Sequence, residues 1–283
     1  MWILLSLGSA FFDSIKNIYA KKVSFNFDAY TAVWAQRFFS LFVLVPIMLF
    51  HIPAQLDYYF WGSLGIVIVL DTAASLFFIK AIKKSPLSLV LPLTALTPVF
   101  ILFFSIFVNK EWPALMGLFG ILLSVVGVYI LQIDKKAKGW LEPFKEIFRD
   151  RGLLLAFLVA VIWGISSTFD KVAVQHSNGY FFSGLSGIIF TLVLTPFVFK
   201  SLLQTKVKHF KQLALFGTSQ GISVLLQMIA LPLTFVSYVV AIKLSSSSMG
   251  VLFGKLIFKE EHFKERMVGS LIILVGIFLI IFS

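Results

Sequence analysis

The chain has 283 residues, of which 59% are hydrophobic and only 13% charged, and its mean hydropathy is +0.97. That balance excludes a water-soluble domain and places the chain in the membrane class. The formal charge of +11 would suit nucleic acid on a soluble protein, but here the basic residues sit in short connections between apolar segments and set orientation, so no nucleic-acid partner is implied.

Apolar segments of about 20 residues, long enough for a hydrocarbon core of roughly 30 Å, fall at 1–20, 30–50, 58–79, 86–109, 112–132, 152–173, 180–199, 212–233, 236–257 and 266–282. The first lacks a basic n-region and a small-residue cleavage site, so it reads as a retained helix. It carries Asp13 and Lys16, one turn apart. Either the two neutralise each other, or Asp13 is a coupling carboxylate.

The second and third segments hold Trp34, Arg37 and Asp71. An ionisable group near the bilayer centre costs at least about 2.5–3.5 kcal/mol on insertion scales and is a functional candidate by default. Arg37 stays charged at accessible pH and needs partners; it binds a substrate carboxylate or pairs with Asp71. Asp71 in turn serves proton coupling or amine binding, or fastens helices as a neutral or paired group. In the fourth segment Pro92 and Pro98 remove backbone hydrogen bonds and predict a kink or hinge.

The polar stretch 133–151 reads as an interfacial linker between a first repeat, 1–132, and a second, 152–283. Glu111, Gly120 and Gly127 recur as Glu260, Gly269 and Gly276 at one offset of 149 residues, which also sets Asp71 on Gln220 and Thr97 on Ser246. Five spans per repeat turn the second half over in the membrane, so the expected fold is all-α and integral, ten transmembrane helices as two inverted five-helix repeats. Secondary transporters are often built this way, with the substrate near the midplane.

The second half supplies Trp163, Gln220, Gln227, Tyr238 and, in VVAIKLSSSSMG at 239–250, Lys243 with Ser246 and Ser247. Lys243 either snorkels to the nearer interface or faces an aqueous cavity and meets an anionic group. On a continuous helix Ser246 and Ser247 share its face, while Ser245 and Ser248 do not. The serine tract, with Gly250 and Gly254, also reads as a close-packing surface. Trp34, Trp163 and Tyr238 line a pocket or pack against lipid, and Gln227 bonds substrate or a neighbouring helix. Glu111 and Glu260 lie at helix ends beside lysines and are expected to organise turns.

The run AIKKSPLSLVLPLTALTPVFILFFSIFVNKEW at 81–112, its echo VSYVVAIKLSSSSMGVLFGKLIFKEE at 236–261, and the Gly-x6-Gly helix after each resemble the EamA domain of the drug/metabolite transporter superfamily. Arg37 in AVWAQRFFS resembles the arginine common in that domain's second helix, and WGISSTFDK at 163–171 its first-helix pattern. The resemblance covers the chain as two domains and implies a ten-helix carrier of a small metabolite, amino acid or drug in a cytoplasmic membrane. The sequence departs from it where Pro98 of the first repeat faces Ser247 of the second.

Of the 24 basic residues, 20 fall on odd-numbered connections and their helix ends, which puts both termini outside by the positive-inside rule, whereas the family pattern has them inside. Cysteine is absent, the four histidines are scattered near loops, and no H-E-x-x-H, G-x-S-x-G or nucleotide-binding loop occurs. Metal hydrolysis, nucleophilic catalysis and direct ATP coupling have no sequence support, and no cofactor is implied. The expectation is a monomeric secondary transporter, not an enzyme, with a small-molecule substrate, the lipid bilayer, and a proton or exchange substrate as partners. Arg37, Lys243 and Asp71 together suit export or exchange of amino acids. Cationic drugs, lipid-linked sugars and a non-transporting scaffold are the alternatives.

Overall fold

The computed structural model describes residues 1–85, 87–132, 149–202, 210–258 and 263–283. Most of the linker, 133–148, lies outside the described residues, as does Glu260. The helices are α1 (Trp2–Asn26), α2 (Ala29–Leu49), α3 (Tyr58–Lys84), α4 (Leu87–Thr94), α5 (Thr97–Val108), α6 (Leu115–Gln132), α7 (Arg151–Gln175), α8 (Gly179–Leu202), α9 (Phe210–Ala230), α10 (Val236–Lys243), α11 (Ser245–Phe258) and α12 (Phe263–Ile281). A 3-10 turn, Leu231–Leu233, follows α9.

Several starts are fixed by short polar side chains that accept the orphan N–H groups of a first turn. Asp28 accepts from Tyr30 and Thr31 at 2.9 and 3.1 Å, Asp57 from Phe60 at 2.9 Å, and Asn178 from Phe181 at 2.8 Å. Asp150 takes Gly152 and Leu153 at 2.6 and 3.0 Å, plus the Ser85 hydroxyl.

The spans expected at 86–109 and 236–257 are not continuous helices. The first is α4 and α5, broken at Ala95–Leu96; the second is α10 and α11, broken at Leu244. Shifted by the 149-residue offset, α4 falls on 236–243, the bounds of α10, and α1 on 151–175, those of α7. Bonds of the i to i−3 type close both breaks: Leu96 N–H to Leu93 O at 3.2 Å, and Leu244 N–H to Ala241 O at 3.1 Å. Proline alone does not cause them. Pro92 lies within α4 and Pro98 in the first turn of α5, whereas no proline stands near Leu244. There the serine run weakens the helix, because hydroxyls compete locally for backbone groups. Counting each broken pair as one span gives the ten of the expected fold.

Among the described residues, six stretches are long and apolar enough to cross a membrane: Ala29–Leu49, Tyr58–Lys84, Leu89–Val108, Arg151–Gln175, Gly179–Phe199 and Phe210–Leu233. Leu115–Leu131 and Met267–Ile281 are shorter apolar helices. The stretches outside both groups, α1 and α10 with α11, carry Asp13, Lys16, Lys243 and the four serines.

The chain divides into two compact units, Met1–Leu76 with Phe169–Thr234, and Phe77–Thr168 with Phe235–Ser283. Each draws helices from both halves of the sequence. In the first, α1 packs on α9, and α2 on α8 and α9. Val23, Ala32, Ala35, Phe39, Leu213 and Phe216 form an apolar cluster there. In the second, α6 packs along α12, and α10 against α5 and α6.

The inversion of the repeat is visible inside each unit. Equivalent helices α6 and α12 meet with Gly120 against Gly276 and Gly127 against Gly269, an antiparallel crossing. Equivalent helices α2 and α8 also run antiparallel, with Trp34 near Thr195 and Met48 near Gly184. Among the described residues nothing lies within 4 Å of a Cβ added at Gly250.

Candidate functional site

Of the expected site residues, Asp13, Trp34, Arg37, Asp71, Gln220 and Gln227 fall in the first unit, and Trp163, Tyr238, Lys243, Ser246, Ser247, Pro92 and Pro98 in the second.

Arg37 is the centre of the first group. Asp71 and Ser75, four residues apart on α3, share one helix face, and an Arg37 terminal nitrogen stands 3.6 Å from Asp71 Oδ2 and 3.5 Å from Ser75 Oγ. The guanidinium carbon lies 4.2 Å from the centroid of the Phe190 ring on α8, and the field of Asp170 on α7 also reaches it. The Arg37 and Asp71 side chains are 13% and 20% exposed. Both distances exceed the 2.7–2.9 Å of a charge-assisted hydrogen bond, and Arg37 Nε has no hydrogen-bond partner among the described residues. A largely buried cation is therefore held by several loose contacts rather than by one tight fork.

The helices around it are pinned by polar contacts and glycines. Trp34 Nε1 donates to Thr195 Oγ1 at 2.9 Å, and its ring stacks on Phe38 at 4.7 Å. Gln36 donates to Gln220 at 3.3 Å. Gly217 and Gly221, on either side of Gln220, let α9 approach α2: an added Cβ would lie 2.8 Å from the Gln36 carbonyl oxygen and 3.0 Å from that of Ser40, respectively. Ser9 and Ser223 donate to each other's carbonyls at 2.8 and 2.9 Å, joining α1 to α9.

The repeat-equivalent positions Asp71 and Gln220 do different things: one faces Arg37, the other bonds Gln36. Asp13 is engaged on its own helix, by Lys16 at 2.7 Å and Asn17 at 3.1 Å. Gln227 is buried on α9.

In the second unit Lys243 is the last residue of α10, where a cation complements the negative end of the helix dipole. The joint at Leu244, where the backbone stays helical at φ −60° and ψ −20°, interrupts the hydrogen-bond ladder between Lys243 and the serines. Ser246 is buried, Ser247 half-buried, and the Ser237, Ser245 and Ser248 hydroxyls have no hydrogen-bond partner among the described residues. Tyr238 is buried, accepts from Ser283 Oγ at 2.9 Å and lies over Gly117, where no side chain fits. Trp163 packs on Phe78, ring centroids 5.5 Å apart. Glu111, expected to organise a turn, caps α10: its Oε2 accepts the Val236 N–H at 3.0 Å.

Ser75, Gln36, Phe190 and Asp170 were missed as site residues. Ser75 was legible from its spacing to Asp71. Gln36 and Phe190 enter only through helix pairing, which no local pattern reports.

An all-helical chain of inverted repeats with buried charges on spanning helices defines a polytopic membrane carrier. The EamA-like transporter family model matches residues 1–133 and 150–282, and the chain belongs to that family. It is a membrane transporter, not an enzyme. An uncharacterized transporter of Archaeoglobus fulgidus is 24% identical over 305 residues, spanning 99% of this chain and 97% of that protein. A solved crystal structure superposes with a TM-score of 0.75 at 14% identity, covering 98% of this chain and 95% of its own, a likeness of fold.

Proposed function

We propose that this transporter carries a small zwitterion of the amino-acid class, with Arg37 taking the carboxylate and Asp71 the amine. The observation that supports this reading is the loosely satisfied guanidinium: a planar donor fork, largely buried, with Nε unpartnered and its ion-pair mate at 3.6 Å. A carboxylate suits that fork bidentately, and once it docks, Asp71 is released to accept an ammonium. Ser75 is a neutral polar group beside this pair, and Gln36 with Gln220 are further polar candidates on α2 and α9. Lys243, at the joint between α10 and α11, with Ser246, Ser247, Tyr238 and Trp163 of the same unit, is a separate set of candidate polar and aromatic contacts.

In this reading 1–132 and 152–283 are the two repeats, joined by 133–151, and the carrier works as a monomer in a cytoplasmic membrane by exchange or export. Pro92 and Pro98 flank the joint of the first repeat. Transport is tested in proteoliposomes preloaded with an unlabelled amino-acid mixture, by uptake of the labelled mixture. Losing the Arg37 contact to a carboxylate costs about 1.5–3 kcal/mol, so Arg37→Gln raises the half-saturation concentration roughly 10- to 150-fold. Uptake no greater than in empty liposomes, or greater for simple amines than for zwitterions, overturns the substrate assignment.

A further inference from the structure

We infer that Glu111 is a positioning residue that anchors the half-helix α10 and so fixes where its terminal residue, Lys243, sits in the membrane. The inference rests on the carrier fold, not on the choice of substrate.

α10 has no cap of its own. Its N-cap residue is Phe235, which makes no side-chain cap bond, in contrast to Asp28, Asp57, Asp150 and Asn178 at four other helix starts. Val236 is fully buried, so its N–H has no access to water. Glu111, 4% exposed, supplies the missing acceptor from the opposite half of the sequence. A carboxylate there satisfies an orphan donor and opposes the positive end of the helix dipole.

The chain is bent to place it. Asn109 ends α5, Lys110 takes φ 55°, the one positive φ of a non-glycine residue among those described, and the Glu111 N–H closes on Ser105 O at 3.2 Å. The Asn109 side chain fastens this corner to Thr168 O at 3.2 Å. Lys110 is thereby turned outward and exposed, and Glu111 inward and buried. Strained backbone at a non-glycine residue persists where the surroundings over-determine it.

From Val236 to Lys243 the helix rises roughly 10 Å, at about 1.5 Å per residue. Its far end is the break at Leu244. A half-helix of eight residues with a joint at one end needs the other end held if Lys243 is to keep its depth, because so short a helix is marginal by itself.

The natural absence of cysteine allows a test without any substrate. Leu244→Cys and Leu96→Cys place one thiol at each of the two repeat-equivalent breaks, at half-buried positions. Labelling by a water-soluble maleimide is followed in proteoliposomes. Adding Glu111→Ala is expected to speed labelling at Leu244→Cys by roughly an order of magnitude, the equivalent of one lost charge-assisted bond, and to leave Leu96→Cys unchanged. Glu111→Gln, whose amide oxygen still accepts the Val236 N–H, restores most of the slow rate. Val236→Pro deletes the donor and keeps Glu111; proline is tolerated at a first helical position, and Phe235 before it already has φ −67° and ψ 140°. It must reproduce the acceleration at Leu244→Cys, and it serves if Glu111→Ala does not fold. An unchanged rate at Leu244→Cys, a parallel rise at both breaks, or no rescue by Glu111→Gln overturns the inference.

Discussion

Replacing Gly120 by alanine puts a methyl group into the crossing of α6 and α12. The added Cβ would stand 2.6 Å from the Gly276 carbonyl oxygen, against the 3.4 Å at which ordinary contact begins, so the helices must part by about 0.8 Å. The obstacle is backbone, and no rotamer change relieves it. Gly276→Ala meets the Gly120 carbonyl oxygen at 2.7 Å, the reciprocal clash. Overpacking of this kind costs about 1–3 kcal/mol, and the gain in helix propensity of at most about 1 kcal/mol offsets part of it. Each variant should therefore lose a net 1–2 kcal/mol or so of stability. Gly62→Ala, Gly65→Ala and Gly250→Ala are the controls, since nothing lies within 4 Å of their added Cβ atoms; they keep or gain stability. Thermal unfolding of purified protein in one detergent, followed by tryptophan fluorescence, reads all five. If Gly120→Ala and Gly276→Ala unfold no earlier than the controls, the close crossing is wrong.

Lys110→Gly removes the positive-φ strain at φ 55° and should be neutral or stabilising by up to about 1 kcal/mol in the same unfolding assay, unlike Lys110→Ala. Arg37→Gln and Asp71→Asn should be non-additive: the double variant is more stable than the sum of the singles predicts, by about 0.5–3 kcal/mol, because each single leaves a largely buried charge with its partner removed. The Phe60 N–H chiefly, with His176 and the Tyr59 N–H adding to it, outweighs the opposing effect of burial and holds the Asp57 carboxyl below the usual carboxylate range. Its contribution to stability is thus full above the ordinary aspartate value and is lost as pH falls through the lowered one. Asp57→Asn should flatten the acid limb of a stability profile below about pH 4.

The apolar segments and the 149-residue repeat were legible because both are local or strictly periodic. So was the choice offered for Arg37, since a guanidinium inside a span demands partners and Asp71 is the nearest carboxylate in depth. Glu111 could be read as a turn organiser from its place at a helix end. That it caps a helix 125 residues away was invisible, as was the pairing of Gln36 with Gln220, because tertiary neighbours leave no trace in spacing. A kink in the fourth span was legible from Pro92 and Pro98, whereas the joint at Leu244 was missed for a different reason. Lys243–Ser245 stays inside a long apolar run without proline, and hydropathy is blind to where a backbone turns.

The most direct measurement is competition against labelled amino-acid exchange in proteoliposomes by three matched ligands: an amino acid, its amide, which lacks the carboxylate, and its N-acetyl derivative, which lacks the amine. With Arg37 and Asp71 dividing the substrate between them, only the zwitterion competes, and Asp71→Asn admits the N-acetyl acid while Arg37→Gln admits neither derivative of the free acid as well as the parent admits the zwitterion. Equal competition by the amide in the native carrier, or indifference of all three ligands to both substitutions, contradicts that division.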